Sequence, residues 1–183
     1  MITENESLDV RSLRKRIIAN EYERLDDKTK NKLINKEKIN IGDLVKNPII
    51  IKNSKNINYE NISEEVLKRL ILENLDDFMT KLGEGFSYIG QEYKIMIGNR
   101  PNYIDLLLYN IKYNCYVVLE LKITELKKEH LGQIGVYMNY VDKHIKTIKQ
   151  DKMIGIIIVK KDNKILLEYS SDDRIMTREF ILI

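Results

Sequence analysis

The sequence has few of the residues that form disulfides, membrane spans or zinc sites. Its one cysteine, Cys115, cannot form an internal disulfide, which fits a reducing compartment such as the cytoplasm. No apolar run approaches the roughly 20 residues that cross a bilayer, and the N-terminus lacks the basic start and apolar stretch of a signal peptide. We therefore expect a soluble cytoplasmic protein that has no membrane partner.

Other absences narrow the chemistry. The chain has two histidines, no Cys/His pair at metal-binding spacing and no glycine-rich phosphate loop. Its net charge is +3, from 31 Lys and Arg against 28 Asp and Glu, which is too small to diagnose nucleic-acid binding by charge alone. A functional site must therefore be sought in individual charged residues and in their surroundings.

Hydrophobic spacing divides the 183 residues into two parts. Residues 7–38 show helical periodicity, which a break at Asp26-Asp27 divides into two helices. A turn-rich piece at 41–48 and an asparagine-rich loop at 52–61 follow. We expect a helical extension and linker at 1–61 and a compact domain at 62–183.

The compact domain has alternating helix and strand patterns. A helix at 62–82 is predicted to start at an Asn61/Glu64 capping box and to stop at Gly83. Strands follow at 86–97, 103–109 and 115–122, then a helix at 124–141 and a buried strand at 153–159. Residues 164–171 fit either a helix or a strand, and 180–183 an edge strand. The order α-β-β-β-α-β predicts an α/β fold with a mixed central sheet flanked by helices.

Three charged residues interrupt two strands that are otherwise apolar. Glu120 and Lys122 share one face of their strand because strand side chains alternate, and Asp105 on the neighbouring strand can lie beside them. Buried charges are costly unless they are paired or bind a cation. A salt bridge to Lys122 is the structural alternative, but the apolar setting favours a functional site.

The donor types favour a hard divalent cation. Mg²⁺ takes one or two protein carboxylates and keeps several waters, so Asp105, Glu120 and the backbone carbonyl of Leu121 form a suitable set, which Mn²⁺ can also use. Such an ion polarises a phosphodiester and activates water, while Lys122 orients that water or stabilises charge on the phosphate. The residues thus predict a Mg²⁺ site for phosphodiester hydrolysis.

Asp105 followed by Glu120-Leu121-Lys122 resembles the signature of the PD-(D/E)XK nuclease superfamily. The predicted element order matches that superfamily's restriction-endonuclease-like core, and Gln133 with Tyr137 resembles a Q-x-x-x-Y motif on its following helix. The resemblance implies that both residues orient Lys122, the phosphate or the backbone. Tyr137 fits the apolar core equally well.

A closer resemblance is to the bacterial YhcG-type nuclease-domain proteins, and it covers nearly the whole chain. It adds Glu73 on the first helix as a supporting metal ligand, with a solvated salt bridge as the alternative. Members of that family carry a further N-terminal, winged-helix-like region that this sequence lacks, which suggests a truncated form or a fragment. The matching segments include Leu75-Asp76-Asp77-Phe78, Leu82-Gly83-Glu84-Gly85-Phe86, Ile104-Asp105-Leu106, Val118-Leu119-Glu120-Leu121-Lys122, Glu129-His130-Leu131-Gly132-Gln133 and Tyr137-Met138-Asn139-Tyr140.

We therefore expect a Mg²⁺-dependent endonuclease or phosphodiesterase with DNA as its first expected substrate. RNA stays a further alternative, because the catalytic set does not read the sugar. The alternative is a catalytically idle nucleic-acid-binding or assembly module that retains the nuclease fold. The N-terminal helices are candidates for a homodimer contact. The first interpretation of His130 is a structural histidine, and the alternative to a phosphate contact for Arg100 is an ordinary cation in a turn. The candidate contacts to nucleic acid are Arg100, Lys127, Lys128 and His130.

Overall fold

The computed structural model describes residues 9–18, 22–25, 27–170 and 172–183. In these ranges the helices are α1 (Val10–Ile18), α2 (Asp27–Ile34), α3 (Ile41–Leu44), α4 (Glu64–Glu73), α5 (Leu75–Leu82), α6 (Lys128–His144) and α7 (Lys164–Glu168), and a 3-10 turn covers Tyr59–Asn61. The strands are β1 (Ile49–Ile51), β2 (Phe86–Ile97), β3 (Arg100–Asn110), β4 (Cys115–Glu125), β5 (Ile154–Lys161) and β6 (Ile175–Leu182).

These strands form one mixed sheet in the order β1-β6-β5-β4-β3-β2. β2, β3 and β4 are antiparallel neighbours, joined by short turns, whereas β4, β5, β6 and β1 run parallel. The step from β4 to the parallel β5 requires a crossover, which α6 provides. The predicted α/β class with a mixed central sheet is confirmed.

Two apolar layers cover the two faces of the sheet. α4 and α5 pack on one face, where Leu119 and Leu121 of β4 point, and α6 packs on the other face with Val118. This division follows from strand alternation, and the near-continuous apolar sequence of β4 and β5 reflects burial on both sides. The centre of the sheet is therefore dry, and a charged residue there needs a partner.

The single helix predicted for 62–82 is wrong, because the structure breaks it at Asn74. This residue has φ −129° and ψ 42°, and its side-chain amide donates to the carbonyl of Leu70 at 3.2 Å. The predicted cap is also wrong, since the hydroxyl of Ser63 accepts from the amide of Val66 at 3.2 Å. The two helices still bury one apolar face, whose buried members are Leu67, Leu70, Ile71, Phe78 and Leu82.

The predicted start of the next helix is also wrong. Thr124 belongs to β4, which continues to Glu125 and pairs there with Lys161 of β5. The helix begins only at Lys128 and runs to His144. β-Sheet pairing decides the conformation here, which the local sequence pattern does not reveal.

The C-terminal strand lies inside the sheet rather than at its edge. β6 pairs with β5 on one side and with β1 on the other, and the ambiguous segment before it forms the short helix α7. The edge strand β1 precedes residue 61, so the sheet extends back across the expected boundary between extension and domain.

The N-terminal region contains the two predicted helices. α2 begins at Asp27, while Leu8 and Asp26 lie outside the described residues. α1 exposes Val10, Leu13 and Ile17. The homodimer contact expected of these helices stays a prediction. In the described part of the chain, no helix is both long and apolar enough to cross a membrane.

Candidate active site

The site lies where the ladder between β3 and β4 ends. The two strands pair from Asn110 and Cys115 to Leu106 and Leu119, and beyond that point side chains replace backbone partners. The amide of Asp105 donates to Oε1 of Glu120 at 3.2 Å, and the amide of Leu121 donates to Oδ2 of Asp105 at 2.9 Å. Backbone donors at the divergence of the strands are thus satisfied by the two carboxylates.

Lys68 of α4 supplies a cation to this gap. Its Nζ lies 2.7 Å from Oδ1 of Asp105 and also contacts the carboxylate of Glu92 on β2. Lys68 was not among the residues predicted for the site. Lys68 lies one turn after Glu64 on an amphipathic helix, and residues four apart share a helix face. This spacing is the sequence signal that places Lys68 on the same side of α4 as Glu64.

Lys122 of β4 lies between two further carboxylates. Its Nζ is 3.7 Å from Oε2 of Glu120 and 3.4 Å from Oε2 of Glu64 at the start of α4. The structure therefore brings Asp105, Glu120 and Lys122 together, as the sequence predicts. Glu64 is the acid of α4 that reaches them.

α6 approaches Glu120 from the opposite face of the sheet. The amide nitrogen of Gln133 donates to Oε2 of Glu120 at 3.2 Å and to the hydroxyl of Tyr137 at 3.0 Å. Tyr137 is buried in the core of that face, which gives Gln133 a rigid partner. The two carboxylates are thus held from different sides, Asp105 by α4 and Glu120 by α6, and they meet in the gap between β3 and β4.

Burial perturbs the charges of the site. Glu120 is only 2% exposed. Its burial, and then the neighbouring charge of Asp105, raise the pKa of its carboxyl to about 8. Burial alone would lower the pKa of Lys68, but its hydrogen bonds to Asp105 and Glu92, together with the charges of those two carboxylates, raise that pKa overall. Such a cluster is typical of functional sites.

The donor set fits a hard divalent ion. With every group ionised, the four carboxylates of Glu64, Glu92, Asp105 and Glu120 exceed the two ammonium groups of Lys68 and Lys122 by two negative charges. The N–H and C=O of one strand residue point the same way, so the carbonyl of Leu121 faces the gap where its amide meets Asp105. No cluster of three or more His, Cys, Asp or Glu side chains suited to a metal occurs in the described ranges. The two carboxylates of Asp105 and Glu120 and the Leu121 carbonyl are oxygen donors, and Mg²⁺ prefers oxygen ligands and needs few of them from the protein, whereas Zn²⁺ prefers nitrogen and sulfur.

Glu73 does not join the two carboxylates. Its Oε1 pairs with Nζ of Lys55 at 2.5 Å, near the C-terminal end of α4. It lines an open groove of about 440 Å³ that Lys68 and Glu92 also line. The structure therefore places Glu73 in the solvated salt bridge that the sequence analysis kept as an alternative.

The predicted nucleic-acid contacts fall in two places. Lys127 and Lys128 are exposed at the start of α6, and the amide of Lys127 donates to Nδ1 of His130 at 3.1 Å. Burial and then the charge of Lys122 lower the pKa of His130, so this end of α6 adjoins the site. Arg100 is exposed at the tip of the hairpin formed by β2 and β3, about 17 Å along the strand from Asp105.

Comparison with known proteins gives one family and several more distant likenesses. The family described as "YhcG PDDEXK nuclease domain" matches residues 43–180. The chain is 26% identical over 96 residues to "Putative nuclease YhcG" of Escherichia coli (strain K12), which covers 52% of this chain and 26% of that protein. It therefore spans about a quarter of the length of that relative.

Two solved structures match part of this chain at low similarity. A repair endonuclease from Pyrococcus abyssi matches with a TM-score of 0.45 and 22% identity, over 67% of this chain and 47% of the other. An EndoMS–dsDNA complex matches with a TM-score of 0.45 and 23% identity, over 69% of this chain and 48% of the other.

Proposed function

Because this chain belongs to the YhcG PDDEXK nuclease domain family, we propose that it is a metal-dependent nuclease that hydrolyses phosphodiester bonds in DNA. The observation that carries the proposal is the arrangement at the strand ends. Glu120 accepts from the amide of Asp105, Asp105 accepts from the amide of Leu121, and Lys122 lies beside Glu120. Buried carboxylates near each other need positive charge to offset their repulsion, and Lys68 and Lys122 still leave the cluster with two negative charges in excess when every group is ionised. The activity belongs to the proposal, as the chain spans only part of its curated relative.

Asp105, Glu120 and the carbonyl of Leu121 would hold the ion, which we propose to be Mg²⁺ with Mn²⁺ as a substitute. When bound, such an ion lowers the pKa of a coordinated water and polarises the phosphate. Gln133 keeps the Glu120 carboxylate in place through its hydrogen bond, and the hydroxyl of Tyr137 keeps Gln133 in place. The carboxylates are thus fixed before any ligand arrives.

Lys122 is suited to the phosphate. Its ammonium group donates a long hydrogen bond of 3.4 Å to Glu64 and lies 3.7 Å from Glu120, so neither carboxylate holds it tightly. It can therefore turn toward a phosphate oxygen and stabilise the charge that develops there. The exposed Lys127 and Lys128 next to it supply attraction for the nucleic-acid backbone, which does not depend on sequence.

The proposal is tested by cleavage assays with Asp105→Asn. Asparagine keeps an oxygen to accept from the Leu121 amide but removes the charge of the ligand, so we expect cleavage to fall more than about 100-fold while the protein stays folded. Asp77→Asn is the matched control, because Asp77 pairs only with Lys81 on the surface of α5 among the described residues. Duplex, single-stranded and branched DNA, and the RNA equivalents, are incubated with Mg²⁺, Mn²⁺ or a chelator.

Several outcomes would contradict the proposal. Wild-type cleavage activity in Asp105→Asn would show that Asp105 is not part of the active site. Cleavage of RNA but no form of DNA would overturn the substrate. Binding of nucleic acid without cleavage in either metal would favour the catalytically idle module, which the family assignment alone does not exclude.

A further inference from the structure

Lys68 holds the carboxylate oxygen that a divalent ion needs. Oδ2 of Asp105 accepts the Leu121 amide, and Oδ1 is 2.7 Å from Nζ of Lys68. The side chain of Lys68 is 16% exposed, so most of its length is covered by protein. The oxygen left for an incoming cation is therefore the one that already has a cation from the protein.

We propose that Lys68 is a built-in counter-ion that competes with the divalent ion for Asp105, and that Glu92 keeps Lys68 when the ion displaces it. This inference rests on the proposed metal-dependent function and concerns the regulation of the same site. It assigns a positioning role to two residues that no sequence motif of the site contains.

The buried carboxylates of the site need a positive charge. Asp105 and Glu120 lie against each other, and burying two carboxylates without a cation is strongly unfavourable. Lys68 supplies one positive charge to that pair before an ion binds. A divalent ion at the same place repels the ammonium group, so both cannot remain on Oδ1 of Asp105.

Glu92 is placed to receive Lys68. Its neighbours Gln91 and Tyr93 pair with Leu106 and Ile104, which places Glu92 opposite Asp105 across β2 and β3. Its backbone has φ +46°, a left-handed conformation that glutamate seldom adopts. Residues in such conformations concentrate at functional sites.

The geometry allows the transfer without moving a helix. Nζ of Lys68 already contacts both Glu92 and Asp105, and the lysine stem is a flexible four-carbon chain. A small rotation of that chain leaves Lys68 with Glu92 alone. The side chain of Glu92 is more exposed than that of Asp105, so water can complete the hydration of the released ammonium group.

The test measures ion binding in the absence of nucleic acid. Mn²⁺ is followed by electron paramagnetic resonance and Mg²⁺ by calorimetry, at low ionic strength, with wild type, Lys68→Met and Lys68→Gln. Both variants remove the competing charge, and glutamine keeps a hydrogen-bond donor. We expect both to bind the ions about tenfold more tightly. Lys55→Met is the matched control, since Lys55 pairs with Glu73 away from Asp105, and we expect no change.

Glu92→Gln tests the second part. Without the Glu92 carboxylate, Asp105 is the anionic contact of Lys68 that remains at the site. Lys68 should then compete more strongly with the ion for Asp105, and ion binding should weaken about threefold. In the Lys68→Met background the same substitution should have no effect, because Glu92 acts through Lys68.

The outcomes separate this inference from the proposed function. Unchanged or weaker ion binding in both Lys68 variants overturns the inference, even if the wild type binds Mg²⁺ and cleaves DNA. An equal loss from Glu92→Gln in both backgrounds overturns the role of Glu92 as acceptor. Absence of Mn²⁺ and Mg²⁺ binding in all of these proteins overturns the metal-dependent function and this inference together.

Discussion

Replacing Glu120 by Gln should change how the stability of the ion-free protein depends on pH. The Glu120 carboxyl is buried, and burial together with the charge of Asp105 raises its pKa from 4.5 to about 8. Between these two pH values the folded protein binds more protons than the unfolded chain. The stability that this group contributes is fully present below pH 4.5 and is lost as the pH rises through 8.

The size of the effect follows from the two values. Their separation corresponds to about 5 kcal/mol between the acidic and the alkaline limit, and to about 3 kcal/mol of loss by pH 7. Glutamine has no such titration, and its one side-chain oxygen can accept from the Asp105 amide. Its NH2 group replaces the oxygen that accepted from Gln133, but that loss is the same at every pH. The free energy of unfolding of Glu120→Gln, relative to wild type, should therefore rise by about 3 kcal/mol from pH 4 to pH 7.

Urea denaturation at 25 °C in the presence of a chelator, from pH 4 to pH 9, measures this difference. Addition of Mg²⁺ at pH 8 should stabilise the wild type more than the variant, because a nearby cation favours the ionised carboxylate. Parallel stability curves for the two proteins would refute the reasoning, since they would mean that Glu120 titrates alike in the folded and unfolded chains.

Two glycines give opposite predictions for the same substitution. A Cβ at Gly155 of β5 would lie 2.6 Å from Sδ of Met138 and 2.8 Å from Cδ1 of Ile134, so Gly155→Ala should lower the free energy of unfolding by about 1 to 3 kcal/mol, measured by urea denaturation. A Cβ at Gly135 of α6 meets nothing within 4 Å, so Gly135→Ala should raise it by about 0.5 to 1 kcal/mol in the same assay. Equal effects of the two substitutions would contradict the packing of α6 on β5.

The sequence carries strong information about Asp105, Glu120 and Lys122. Each interrupts a strand that is apolar on both faces, and such strands lie at the centre of a sheet. The family resemblance drawn from their motif is confirmed by the match across residues 43–180. Their roles in binding and catalysis stay predictions.

The partners of these residues are not encoded locally. Lys68 and Glu64 appear in the sequence as ordinary charged positions of an amphipathic helix, and only the packing of α4 against the sheet brings them to the gap. Glu92 lies on a strand that has many exposed polar residues, so its sequence position does not distinguish it from its neighbours. Periodicity predicts the apolar face of an element, but not which charge at its border meets a distant strand.

Some predicted boundaries of helices and strands are wrong for a related reason. Asn74 is compatible with a helix by spacing, yet its side chain bonds to the carbonyl of Leu70 and α4 ends there. The three residues of β1 are too short for a pattern, and only their pairing with β6 makes them a strand. In both places a contact that the spacing does not encode decides the local structure.

The hydrogen bonds of Asp105 and Glu120 give these carboxylates a structural role in addition to their proposed role in metal binding. Glu120 satisfies the amide of Asp105, and Asp105 satisfies the amide of Leu121, at the point where β3 and β4 separate. An alanine at either position would leave a buried donor without a partner and would destabilise the strands that carry the site. Loss of cleavage in an alanine variant would therefore not distinguish a missing metal ligand from a disordered strand end. The amide variants Asp105→Asn and Glu120→Gln keep one oxygen for the strand amide while they remove the charge and the second oxygen, which contacts Lys68 or Gln133. The strand amides stay satisfied in both variants, so the function of the site can be separated from the integrity of the strand ends.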